Sequence, residues 1–408
     1  MPSGLMSLNN YGAEDIYLSG NPQISFFKTI YKRHSNFASE SMSQTIEGSI
    51  DFGNTIYTTI NRAGDLIKSI TLEIYLPELI PPTTNYTWFG YTNNIICSLI
   101  KSISISIGGQ LIDKHYGDYY DILDEYNNNI NNHIYSKYNS EFSIRNNFKS
   151  RTLYLPLKFW FCKHYGNSLP LISLINSDVT LSIELRDLRE IIKTDANTWP
   201  LPKTTGNNID LKVWVDYIYL DKDEKKMFST NKHEYLIEQL QFTGEDTLFS
   251  GLLSYNFNLY FNHPIKEIVW VLVDNINSSI DPKNGNNFLK YTSNFVNNSD
   301  TFLSAEIKIN GVSIFPSRPA NYFRQIQPLQ HKNIIPKKYI YLYSFALNPN
   351  EHQPSGTYNF SLIDNAYLEM KFNQNGTASS TNSRVKIYAT NYNILRIMSG
   401  QASLAYIN

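Results

Sequence analysis

The sequence predicts an all-β protein made of two tandem β-sandwiches, and three observations predict it. Alternating apolar and polar runs recur about every 8–12 residues from residue 40 onward, with turn residues between them. The strand-forming aromatics are abundant, with Tyr 30 and Phe 22, and they stand beside Ile and Thr in those runs. Five of the runs then return in the same order in the second half, which is the mark of one unit used twice.

Residues 1–35 precede the first run. Asn21-Pro22 offers a helix start, and Ile24, Phe27 and Tyr31 follow at helical spacing up to the basic cluster Lys32-Arg33-His34. This predicts a short amphipathic helix on an otherwise extended arm, docked on its own domain or reaching a neighbouring molecule. The strand from Ile67 to Leu76 alternates over most of its length. Ser102 to Ile107 alternates again and stops at Gly108-Gly109, a hairpin turn. Between Asp113 and Glu125, acids stand at 113, 118, 121, 124 and 125 around Ile122 and Leu123. A solvated helix face is the expected reading, ahead of a paired-carboxylate site. The Asn-rich stretch 127–147 reads as a surface loop. Strands resume at Leu153, at Val179 and at Lys212. Asp221 to Met227 is the most charged run and reads as a short helical linker.

The second half repeats these landmarks. Ile265 answers Ile67, Ile309 answers Ile107, Ile340 answers Leu153, Ala366 answers Val179 and Lys386 answers Lys212. The division expected is an arm over 1–35, a first sandwich over 36–222 and a second over 223–408. Each sandwich needs about eight strands, and eight strands in two opposed sheets make a jelly roll.

Composition narrows the function. Lys+Arg 35 against Asp+Glu 36 leaves no basic stripe, so direct nucleic-acid binding is not expected. Cys97 and Cys162 are too few for a disulfide scaffold and are expected as reduced thiols. Met1 to Ser7 has no basic stretch followed by an apolar core, so we expect no signal peptide and synthesis in the cytoplasm. The eight histidines contain no His-x-His pair, and no Cys-x-x-Cys, His-Glu-x-x-His, phosphate-binding loop or Gly-x-Ser-x-Gly elbow occurs. No catalytic, cofactor or metal residues are assigned. Asn-x-Ser/Thr sequons begin at Asn85, Asn277, Asn297, Asn359 and Asn375 and read mostly as coincidence in an Asn-rich chain.

Several stretches together carry a resemblance. In the arm they are Asn21-Pro22-Gln23-Ile24-Ser25-Phe26-Phe27-Lys28 and Tyr31-Lys32-Arg33-His34-Ser35-Asn36-Phe37. Asn61-Arg62-Ala63-Gly64-Asp65-Leu66, Gly108-Gly109-Gln110-Leu111-Ile112-Asp113 and Leu155-Pro156-Leu157-Lys158-Phe159-Trp160-Phe161-Cys162 follow. The second half adds Phe261-Asn262-His263-Pro264-Ile265-Lys266-Glu267, Glu351-His352-Gln353-Pro354-Ser355-Gly356-Thr357 and Asn391-Tyr392-Asn393-Ile394-Leu395. The chain resembles, nearly end to end, the double jelly-roll major capsid proteins of large eukaryotic double-stranded DNA viruses. That resemblance implies a structural protein of the virion and not an enzyme. It implies a homotrimer whose six similar rolls make a pseudo-hexagonal capsomer tiling an icosahedral shell. Neighbouring capsomers, minor capsid and penton proteins, and an inner membrane-associated layer met by the N-terminal arm are the implied partners. A minor capsid paralogue of the same fold and a jelly-roll carbohydrate-binding protein are the alternatives. Lys32, Arg33, His34, Gly108, Gly109, Pro354, Ser355 and Gly356 are the candidate assembly positions.

Overall fold

The computed structural model describes residues 3–80, 88–126, 148–195, 202–204, 209–291, 300–372 and 382–407. The loop expected at 127–147 and the sequons at Asn85, Asn297 and Asn375 lie outside the described residues. The chain divides into two compact units, residues 1–36 and residues 37–408.

The first unit corrects one expectation. Its helices are α1 (Ser3–Asn9) and α2 (Ile16–Ser19), and residues 22–31 are not helical. Asn21 takes a left-handed φ of 55°, which does not lead into a helix at Pro22. The spacing of Ile24, Phe27 and Tyr31 finds nothing to pack on, since these side chains are 68%, 99% and 86% exposed. A helix this short draws its stability from a buried face and does not form without one.

The second unit holds sixteen principal strands in two sets of eight. The first set is β1 (Phe37–Gln44), β2 (Thr55–Thr59), β3 (Leu66–Leu76), β4 (Ile100–Ile107), β5 (Gln110–Tyr116), β6 (Arg151–Pro156), β7 (Val179–Leu185) and β8 (Asp210–Leu220). The second is β9 (His233–Leu248), β10 (Ser254–Asn258), β11 (Pro264–Asp274), β12 (Ser304–Ile309), β13 (Val312–Ser313), β14 (Ile340–Ser344), β15 (Ala366–Lys371) and β16 (Ser383–Met398). In the first set the sheet orders are β1-β8-β3-β6 and β2-β7-β4-β5; in the second they are β9-β16-β11-β14 and β10-β15-β12-β13. Adding eight to each label of the first pair gives the second pair. Neighbouring strands in all four sheets run antiparallel, and each pair of sheets is the double Greek key of a jelly roll. Short two- to four-residue strands pair with the ends of the inner strands β3, β11, β12 and β16.

The repetition extends to irregular details. Gly108-Gly109, with φ of 57° and 80°, joins β4 to β5 through a two-residue turn. Asn310-Gly311, with φ of 49° and 80°, joins β12 to β13 in the same way. Both are the left-handed turn that suits the twist of a hairpin. The ladder between β8 and β3 slips once, where Asp216 faces Ser69 and Tyr217 faces Ile67, leaving Lys68 unpaired. The ladder between β16 and β11 slips at the corresponding place, where Thr390 faces Glu267 and Asn391 faces Ile265, leaving Lys266 unpaired. Four of the five landmark pairs therefore hold residue for residue. The fifth shifts by one: Ile340 faces Val271 as Tyr154 faces Glu73, so Tyr154 is its counterpart and not Leu153.

The two rolls differ in what covers them. The outward side of β3 is half-exposed at Ser69, Thr71, Glu73 and Tyr75. In β11 every residue from Ile265 to Asp274 is buried, on both sides. Its inward Ile268, Trp270 and Leu272 pack with Phe257, Ile307 and Leu368 in the core of the second roll. Its outward Val269, Val271 and Val273, with Ile340, Leu342 and Tyr388, instead join the core of the first roll. Helix α4 (Lys222–Thr230) links β8 to β9, and the Asp221 carboxylate accepts a hydrogen bond from Glu224 N at its start.

Candidate functional site at the joint of the two rolls

The joint is built from a helix that sequence reasoning placed in solvent. Helix α3 (Gly117–Glu125) follows β5, and Asp118, Tyr119, Tyr120, Asp121, Ile122 and Asp124 on it are all buried. Asp113 in the middle of β5 is buried as well. The solvated-face reading is overturned because the second roll supplies cations and donors that meet these acids. Lys386 of β16 ion-pairs with Asp118 and reaches Glu245 of β9 at 2.9 Å, while Arg186 lies 3.5 Å from Asp118. Lys338 spans both oxygens of Asp121 at 2.6 and 2.7 Å. Asp113 accepts a hydrogen bond from Leu240 N at 3.0 Å and stands 2.9 Å from His115 Nε2. Tyr119 OH meets Thr390 Oγ1 at 3.2 Å, and Gln239 donates to Ile112 O.

Paired this way, Asp118 and Lys386 stay ionised. Burial pushes the Asp118 carboxyl up, but Lys386 and Arg186 outweigh it and hold the group below its usual value. Burial pulls the Lys386 amine down, and Asp118 and Glu245 reverse that and leave it raised. The arrangement offers attraction and registry.

Beside the joint lies a cleft of about 930 Å³, lined by Tyr119 and Tyr126 of the first roll and by Thr390 and Tyr392 of the second. Glu238 sits in it between Lys163 and Lys266, each 2.5 Å away. Burial alone would raise the Glu238 pKa, and the two lysines bring it down to about 2. At the rim the rings of His164 and His352, one from each roll, stack with centroids 4.6 Å apart.

The candidate assembly positions lie on three separate elements. Lys32, Arg33 and His34 are exposed on the arm, with His34 Nδ1 2.7 Å from Ser35 O. Gly108 and Gly109 form the β4–β5 turn. Pro354, Ser355 and Gly356 belong to the loop after β14, where the Ser355 hydroxyl accepts a hydrogen bond from Asn348 N, and Pro354 lines the cleft. The residues that join the rolls, Asp118, Asp121, Lys338 and Lys386, were not among these candidates. Of the described sequons, Asn277 is buried and Asn359 is exposed on a two-residue strand.

Among the described residues no group of three or more His, Cys, Asp or Glu side chains could hold a metal ion. Cys97 and Cys162 are free thiols whose pKa values burial pushes up, that of Cys162 to about 12, so neither is an activated nucleophile. No helix among the described residues is long and apolar enough to cross a membrane.

Comparison with known proteins covers the whole chain. Residues 25–221 match the family described as major capsid protein N-terminus, and residues 224–403 match the large eukaryotic DNA virus major capsid protein family. The chain is 38% identical to the major capsid protein of Pyramimonas orientalis virus and 37% identical to that of Paramecium bursaria Chlorella virus 1, with 100% of both partners covered in each case. It also superposes on a chain of the quasi-atomic model of the PBCV-1 virus capsid with a TM-score of 0.79 at 34% identity, covering 94% of this chain and all of that one.

Proposed function

Because this chain belongs to the large eukaryotic DNA virus major capsid protein family, we propose that it works as a homotrimer forming a pseudo-hexagonal capsomer of an icosahedral shell. The duplicated roll is the observation that carries this reading. Three copies of a two-roll chain present six nearly alike units, so a threefold assembly fills a sixfold lattice position. Symmetric closure of one repeated contact is the usual route to such a ring. The trimer is expected to bury well beyond ~2,000 Å² per interface, as obligate assemblies do.

The work is done by shape and by contact, with no catalytic step and no cofactor. In this reading the division falls into an arm over 1–35 and rolls over 36–222 and 223–408. In this reading the chain is made in the host cytoplasm. The exposed arm, with Lys32, Arg33 and His34, faces an inner membrane-associated layer, while the Gly108-Gly109 turn and the 354–356 loop meet neighbouring capsomers, minor capsid or penton proteins. Light scattering of the purified protein across salt and dilution tests the core of this. A mass of three chains that persists on dilution supports the capsomer, and a monomer under all conditions overturns it.

A further inference from the structure

Asp121 gathers two nitrogens, one from each roll, on a single oxygen. Its Oδ1 accepts a hydrogen bond from Asn94 Nδ2 at 2.5 Å and another from Lys338 Nζ at 2.6 Å, while Oδ2 stands 2.7 Å from the same amine. Two nitrogens bonded to one oxygen lie within about 5 Å of each other, so the lysine amine stands beside the Asn94 carboxamide. Asn94 takes a left-handed φ of 45°, which asparagine tolerates, just before the short helix Ile95–Leu99. Asp121 is buried in the middle of α3, and Lys338 leads into β14. Ile95, Cys97 and Tyr291 are buried around them, and the Lys338 amine lies 5.6 Å from the centre of the Tyr291 ring. Asn94, Lys338 and Tyr291 also line a cleft of about 330 Å³.

A salt bridge needs only the lysine and the acid. The third group here is an electrophile whose leaving nitrogen is already bonded to that acid. We propose that Lys338 and Asn94 join through an isopeptide bond, with Asp121 moving the protons, and that this bond locks the two rolls of one chain together. Burial pulls the Lys338 amine down, but Asp121 outweighs it and keeps the amine protonated, so a proton must first pass from Nζ to Asp121. The surrounding apolar side chains favour that transfer, because it removes two buried charges. The lone pair of Nζ then attacks Asn94 Cγ, and the Cγ–Nδ2 bond breaks. Nδ2 takes up the two protons that Nζ has shed, relayed by Asp121, and departs as ammonium through the cleft. Asp121 is a carboxylate again at the end, and no oxidant, reductant or second reactant is used. The bond forms once per chain, so a slow step suffices.

Mass spectrometry of the purified, folded protein tests this, followed over days of incubation. Wild type should fall short of its sequence mass by one ammonia, about 17 Da, and a protease digest should yield a branched peptide joining Asn94 to Lys338. Lys338→Arg keeps the cation but cannot form the bond, and should keep its full mass. Asp121→Asn, shown to be folded by its thermal unfolding, should form the bond at least about 100-fold more slowly. Wild type that keeps its full mass overturns the proposal, whether or not the variants fold. A deficit without the branched peptide also overturns it, because an asparagine that closes on its own backbone sheds ammonia too. A branched peptide that forms equally fast in folded Asp121→Asn overturns the role given to Asp121.

Discussion

Asp118 and Lys386 stand 268 residues apart in the chain and pair with each other inside the protein, each side chain about 5% exposed. Replacing Lys386 by Met leaves Asp118 buried with Arg186 as its remaining cation. Breaking a buried pair from one side costs about 3–5 kcal/mol, because a charge stays behind without its partner. Urea unfolding should show that loss for Lys386→Met, and adding Asp118→Asn should recover part of it.

Acid should weaken the fold through Glu238. Its folded pKa of about 2 lies below the ordinary 4.5, so its ion pairs contribute stability above pH 4.5 and lose it as the pH falls through about 2. A depression of that size is worth on the order of 3 kcal/mol. Thermal midpoints measured from pH 6 to pH 2 should fall less steeply for Glu238→Gln than for wild type. The variant should also be less stable at pH 7, where Lys163 and Lys266 lose their shared anion.

The paired turns give an internal control. Gly109 has φ of 80° and nothing within 4 Å of where a Cβ would stand, so Gly109→Ala carries only the backbone cost of about 1–2 kcal/mol. Asn310 already tolerates φ of 49°, but its Oδ1 accepts a hydrogen bond from Asn365 N at 3.1 Å, so Asn310→Gly should cost about 0.5–1.5 kcal/mol through that lost bond. Equilibrium unfolding of the two variants side by side checks both.

Both thiols should be inert in the folded protein. Titration with a disulfide reagent should find Cys97 and Cys162 reacting at least about 100-fold more slowly than a free thiol, and both reacting at once in denaturant.

Much of the fold was legible because a strand states its exposure in its own alternation. Ile67 to Leu76 alternates and has one wet side, as expected. The same logic held an unread message in its counterpart. Ile268 to Val273 is Ile-Val-Trp-Val-Leu-Val without a polar residue, and such a run means burial on both sides. That was the sequence sign that the second roll is packed against something. The acids of α3 misled for the opposite reason. Asp118 and Asp121 look like a solvated face because their cations, Lys386 and Lys338, lie more than 200 residues away. Helical spacing at Ile24, Phe27 and Tyr31 failed because periodicity records a face and says nothing about whether anything covers it.

The twin bulges bear on descent. An unpaired residue that slips a ladder by one is an accident of a single strand pair, with many positions open to it. Finding it at Lys68 and again at Lys266, a lysine both times, points to one event copied along with the gene. The ancestor was then a single roll that already carried the irregularity, and the copies have since parted in use. Lys68 remains exposed, while Lys266 is buried against Glu238. The bulged lysine has become a fastening in one copy and faces solvent in the other.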